Sequence, residues 1–180
     1  MSSYTTRITA GNLRYKIIRQ PGEGTRPISQ KVRQAIMSVL GEDLSGLKVL
    51  DLYAGSGALG FEALSRGAER LTSVERALVA GKCLQVNAQE LGVTQKFNLV
   101  QESVPLFLSR NSNKYDIIFF DPPYAEFSLD ICATSAKALA DGGVLVVSCS
   151  SQEKLADILE PAKLVKTREY GDTQIAYYKN

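Results

Sequence analysis

The chain has 180 residues, 44% hydrophobic and 22% charged, which suits a single core and argues against intrinsic disorder. It contains no histidine. That excludes Ser-His-Asp and Cys-His mechanisms and every His-ligated metal site, so any chemistry rests on carboxylates, hydroxyls, backbone groups or a cofactor. The three cysteines, Cys83, Cys132 and Cys149, form no CxxC pair and read as small core residues; neither a metal centre nor a disulfide framework is expected. The longest apolar runs, 117–120 and 144–147, are strand-sized and far short of the roughly 18 residues of a membrane span. The first residues lack the pattern of a signal peptide, so a cytoplasmic location away from membranes is expected. The net charge of +2 hides an asymmetry. Residues 1–33 carry seven basic side chains against Glu23 alone, whereas the rest of the chain carries 14 basic and 18 acidic. That end either faces a polyanion or is a solvated arm.

Residues 7–10 and 13–19 are short alternating segments around Gly11-Asn12, a good two-residue hairpin turn. A loop follows, with Pro21, Gly22 and Gly24. Ser29 can cap a helix whose apolar positions Val32, Ala35, Ile36, Val39 and Leu40 have helical spacing, which puts Lys31 and Arg33 off the apolar stripe. From Lys48 the pattern alternates strand and helix. Strands are expected at 48–52, 70–74, 97–101, 115–120 and 144–148, and helices at 59–66, 78–91, 104–109, 129–140 and 152–159. Segments 164–170 and 174–179 flank Gly171-Asp172 as a terminal hairpin. The expected fold is α/β and Rossmann-like. It has about seven strands in a mostly parallel sheet, a terminal antiparallel hairpin, a basic β-hairpin extension over 1–24 and the main domain over 25–180.

The first expected strand runs into Gly55-Ser56-Gly57-Ala58-Leu59-Gly60, a G-x-G-x-x-G that opens a helix, and Glu75 closes the next strand where ribose-binding acids sit. Two ligands compete for such a loop. A dinucleotide would set its pyrophosphate there. S-adenosylmethionine carries an ammonium and a sulfonium instead. Asp51 at the end of the strand would repel a pyrophosphate and attract the ammonium, which favours S-adenosylmethionine.

Asp121-Pro122-Pro123-Tyr124 follows the apolar strand at 115–120, at a carboxyl end where open α/β sheets place their sites. The prolines remove two backbone donors. What remains are acceptors, the Asp121 carboxylate and the Pro122 carbonyl, suited to the two hydrogens of an exocyclic base amine. Tyr124 can stack on that base. This motif does not distinguish guanine from adenine, since both bases present such an amine.

With DPPY after a strand and DLYAGSGALGFEALSRGA upstream, the chain resembles the amino-methyltransferase branch of class I methyltransferases. It is most similar to the RsmD family, which methylates a guanine N2 in the 16S RNA of bacterial small ribosomal subunits. RITAGNLRYKI, TRPISQKVRQAIMSVL, the glycine loop, DPPY and a terminal YGDTQIAYY occur in the family's order across nearly the whole chain. The resemblance implies a cofactor site at Asp51, Tyr53, Ala54, Gly55, Ser56, Gly57, Glu75 and Arg76, with Glu102 or Ser103 toward the adenine. It implies catalysis by Asp121, Pro122 and Tyr124. It implies ribosomal RNA as partner, in a partly assembled small subunit, and places Thr25-Arg26-Pro27 between cofactor and substrate. Arg7, Arg14, Lys16, Arg26, Lys31 and Arg33 are the expected RNA contacts. Two departures stand out. Glu102-Ser103 replaces a frequent Asp or Asn, and Ser148-Cys149-Ser150 stands where many relatives have Glu. The rivals are an adenine-N6 methyltransferase, a dinucleotide-binding oxidoreductase and a non-catalytic RNA-binding module.

Overall fold

The computed structural model describes residues 5–22 and 28–180. The expectations for Thr25, Arg26 and Pro27, and the boundary drawn at residue 24, lie outside the described residues. Strands β1 (Thr5–Arg7) and β2 (Ile17–Arg19) form a small antiparallel ribbon. The remaining strands are β3 (Lys48–Leu52), β4 (Arg70–Val74), β5 (Phe97–Val100), β6 (Tyr115–Phe120), β7 (Leu139–Ser150), β8 (Ile158–Leu159), β9 (Ala162–Tyr170) and β10 (Thr173–Lys179). They make one sheet in the order β5-β4-β3-β6-β7-β10-β9-β8. The five strands from β3 to β7 run parallel, and β10 enters antiparallel between β7 and β9. From β3 the chain steps outward to β4 and β5, then returns to the other side of β3 as β6, so a crevice opens at the carboxyl ends beside β3.

Alternation along the strands separates two cores. Val49, Leu71, Ile117, Phe119 and Val146 face one side. There they meet α1 (Gln30–Leu40), α2 (Ala58–Ser65) and α3 (Leu78–Leu91), together with Ile8 and Ile18 of the N-terminal segment. Leu50, Leu52, Ile118, Phe120 and Val147 face the other side, against α4 (Val104–Arg110) and α5 (Leu129–Ala136).

The helix expected over 129–140 ends at Ala136, because Leu139 already pairs with Tyr115 as the start of β7, and three further expectations change. The segment 152–159 is not a helix: Leu155 and Ala156 pack partly against the second core, and Ile158–Leu159 pairs with Lys163–Ala162 as β8. Pro161 lies in the turn between them, so helical hydrogen bonding stops there. This strand brings the sheet to eight. The N-terminal ribbon is shorter than expected, because the turn around Gly11 bonds to α2 rather than across the ribbon. Asn12 N–H donates to the Ser65 carbonyl at 2.7 Å, and Gly11 (φ +79°) lies so close that a Cβ there would sit 1.8 Å from that oxygen.

The third change concerns Arg33. Ser29 caps α1 as expected, accepting from Val32 N–H at 3.2 Å. Arg33, however, points into the molecule and is fully buried, so its expected contact with RNA is ruled out. Its guanidinium donates to the Arg7 carbonyl at 2.6 Å and faces the equally buried Glu62 at 3.4 Å. Glu62 accepts from Thr9 N–H at 3.0 Å and Ala10 N–H at 3.1 Å, and Arg66 approaches it at 3.5 Å. A cation thus binds a carbonyl, and an anion binds amides, of the same N-terminal segment. Desolvation lowers the proton affinity of Arg33 and the Glu62 charge opposes that shift. Removing one partner of such a pair strands a buried charge, so Glu62→Ala should cost about 3 kcal/mol or more in urea unfolding. The double variant Glu62→Leu/Arg33→Met should be closer to the wild type than either single change.

Candidate active site

The carboxyl ends of the parallel strands are set level by register: Leu52 of β3 pairs with Val74 of β4 and Phe120 of β6, and Phe120 pairs with Val147 of β7. The residues that follow each strand therefore meet around one cleft of about 820 Å³. Asp51, Tyr53, Ala54, Gly55, Ser56, Glu75, Arg76, Glu102, Ser103, Asp121, Pro122 and Tyr124 all line it. Gly57 does not. It sits behind the loop at φ +78°, where a Cβ would collide with the rings and methyls of Phe61 and Leu84, so its part is to let α2 start close to α3.

Asp51 is almost completely buried and accepts from Gly60 N–H of α2 at 3.2 Å. Desolvation pushes its carboxyl well above the ordinary range, and the nearby charges of Asp121 and Glu75 add to the shift. Tyr53 takes a left-handed φ of +60°, rare for a residue with a side chain, and its ring meets Phe120 edge-on at 5.5 Å. Glu75 holds the glycine loop with both oxygens: one accepts from Gly55 N–H at 3.0 Å, the other from Ala77 N–H at 2.7 Å. Its own carbonyl accepts from the Gln101 side chain at 2.7 Å. At the next strand end Glu102 is gripped by Arg110 at 2.6 Å, while Ser103 stands at the start of α4 without capping it.

Asp121 is partly buried, Pro122 is buried, and Tyr124 is 39% exposed. Burial raises the Asp121 carboxyl, and the Ser148 hydroxyl beside it opposes that shift. The turn after the motif closes with Glu126 N–H on the Pro123 carbonyl at 2.8 Å, so the Pro122 carbonyl is not consumed by it. Arg76 and Glu126 form an ion pair at 2.7 Å that joins the segments following β4 and β6 across the end of β3.

Three cleft residues escaped the sequence reading. Ser148 was noted as the loss of a carboxylate, yet it supplies the hydroxyl beside Asp121. Thr173, the first residue of β10, meets the Tyr124 hydroxyl at 2.5 Å, and Tyr170 at the end of β9 stands next to it in the sheet. The only signal was the terminal hairpin, and a hairpin pattern does not say which end reaches the crevice. Among the expected RNA contacts, Arg7, Arg14, Lys16 and Lys31 are exposed. A buried amide, Asn87, connects this N-terminal region to the cleft: it bonds to both Arg19 backbone groups and donates to the Ser56 carbonyl at 3.0 Å.

The family model described as Conserved hypothetical protein 95 matches residues 6–179. Ribosomal RNA small subunit methyltransferase D of Escherichia coli is 30% identical over 175 residues, covering 95% of this chain and 87% of that protein. YlbH of Bacillus subtilis is 29% identical over 180 residues, covering 96% and 98%. A solved Escherichia coli chain superposes with a TM-score of 0.86 at 26% identity, covering 98% of both chains. The glycine loop, the acid after β4 and the DPPY turn thus stand in one cleft of a chain matched end to end, and the chain belongs to the Conserved hypothetical protein 95 family, the RsmD family of methyltransferases.

Proposed function

We propose that the protein uses S-adenosylmethionine to methylate the exocyclic N2 of a guanine in small-subunit ribosomal RNA, with a partly assembled subunit in the cytoplasm as substrate. The observation that carries this reading is the meeting of Asp51, Glu75 and Asp121 in a single cleft beside an aromatic ring, Tyr124. Relatives named as ribosomal RNA small subunit methyltransferases support the RNA. The donor set suits the cofactor: carboxylates for an ammonium and for ribose hydroxyls, and glycine backbone for close approach. In this reading Asp51 attracts the ammonium, Glu75 the ribose, and the loop of Tyr53, Ala54, Gly55 and Ser56 forms the floor. Arg76 borders that floor, and Glu102 or Ser103 faces the adenine.

When bound, the cofactor supplies a methyl group on a positively charged sulfur. The chain's own residues position the amine. Asp121 and the Pro122 carbonyl accept its two hydrogens, which favours a pyramidal nitrogen with its lone pair free. The proton affinity of Asp121, raised by burial, also fits it to take up the proton that the amine sheds. Tyr124 holds the flipped base by stacking, and Thr173 fixes the plane of that ring through the hydroxyl.

Nucleoside analysis of small-subunit RNA from cells lacking the gene should show loss of N2-methylguanosine at one position, restored with the gene. Loss of N6-methyladenine instead would favour the adenine enzyme. Asp121→Ala and Tyr124→Ala should abolish most methyl transfer with cofactor affinity largely kept, and Thr173→Val should lower kcat more than it changes cofactor binding. The rate should fall on acidification starting above the usual carboxylate range, because protonating Asp121 turns an acceptor into a donor. Asp51 offers a separate check. A carboxyl raised in the folded state stabilises the fold below its unfolded pKa and loses that contribution as pH rises through the folded value. Asp51→Asn should therefore raise the melting temperature near neutral pH while weakening cofactor binding in calorimetry. Glu75→Ala should weaken it by about 1.5–3 kcal/mol.

A further inference from the structure

Among the described residues Tyr15 joins Tyr53 as a residue with a side chain held at positive φ, at +70°, and it does not line the cleft. Its conformation is fixed by a network: Tyr15 N–H donates to the Ile8 carbonyl at 2.9 Å, and Lys16 N–H to the Leu13 carbonyl at 3.0 Å. A glycine or asparagine would occupy this position with less strain. The ring gains no compensating burial, for Tyr15 is 63% exposed. The Arg14 guanidinium lies over the ring, 4.5 Å from its centre. Residues 5–22 contain Arg7, Arg14, Lys16 and Arg19 and no acid, and of these cations Arg19 is paired with Glu90 of α3 at 2.6 Å. Arg7 pairs with Ile17 across the ribbon on its exposed side.

An exposed aromatic ring in a strained backbone, flanked by unburied cations, has the makeup of a stacking platform for single-stranded nucleic acid. We infer that Tyr15, backed by Arg14, binds an unpaired base of the RNA at a site separate from the cleft. This deepens the reading of RNA as substrate and rests on it. Charge selects the partner: the cations beside the ring match phosphates, whereas a protein surface would need acids placed to suit. The position adds a constraint: Tyr15 is not among the residues that line the cleft, which the segment 5–22 reaches at Gln20. The platform therefore holds a base other than the methylated one and acts on affinity rather than on the chemical step.

The test compares wild type, Tyr15→Gly and Tyr15→Phe in two measurements: thermal melting, and fluorescence anisotropy with a labelled single-stranded RNA oligonucleotide in the absence of methyl donor. Tyr15→Gly should melt no lower than wild type and bind RNA about tenfold more weakly, with an unchanged salt slope, because it removes stacking and no phosphate contact. Tyr15→Phe should bind like wild type. In turnover assays Tyr15→Gly should raise KM for RNA and leave kcat unchanged. Wild-type RNA affinity in Tyr15→Gly would overturn the inference alone, as would a clear loss of melting temperature, which would make the ring a packing residue. Wild-type protein that binds no RNA would remove the RNA reading together with it.

Discussion

The buried charge of Glu62 is the constraint around which the N-terminal half of the molecule is arranged. It sits midway along a helix whose every residue is buried, where an unpaired carboxylate would be prohibitive. Its partners come from three directions: Arg33 from α1, Arg66 from its own helix, and the amides of Thr9 and Ala10 from the extended chain. Satisfying one charge thus fixes α1, α2 and the entry to the ribbon together. The helix it anchors is also the one whose N-terminus carries the glycine loop, so the geometry of the cleft depends on an ionic cluster that touches no ligand.

Within the cleft the electrostatic arrangement is reversed. Burial and the nearby charges of Asp121 and Glu75 raise the cost of ionising Asp51, and burial raises that of Asp121. The Glu75 oxygens and the Asp51 carboxylate draw on backbone N–H groups for partial compensation. Carboxyl groups gathered in this way destabilise the folded chain and give it affinity for a positively charged ligand. Around Glu62 charge is neutralised for stability; at the cleft it is left in excess for binding.

Much of this was legible in the residue order. The parallel strands were marked by apolar runs, and the glycine spacing with its strand-end acids marked the crevice at the carboxyl ends. Periodicity failed where a polar residue took an apolar position. Arg33 looks like a solvent-facing residue of α1 until Glu62 is known to be opposite, and no local pattern reports a partner 29 positions away. The segment over 152–159 failed for a different reason: its apolar residues serve helix or strand equally well, and the turn at Pro161 lets β9 capture Ile158–Leu159. Tyr170 and Thr173 were missed because sheet order, not sequence, brings the turn between β9 and β10 next to β7.

That sheet order also bears on how the protein matures. β10 is made after β7, β8 and β9, yet it is an interior strand, bonded along its whole length to β7 on one side and β9 on the other. Until it emerges from the ribosome, β7 ends the sheet as an open edge, and the β8–β9 hairpin has nothing to join. The wall that steadies Tyr124 therefore forms later than the motifs it serves, and a nascent chain holding every motif from the glycine loop to DPPY still lacks a finished site.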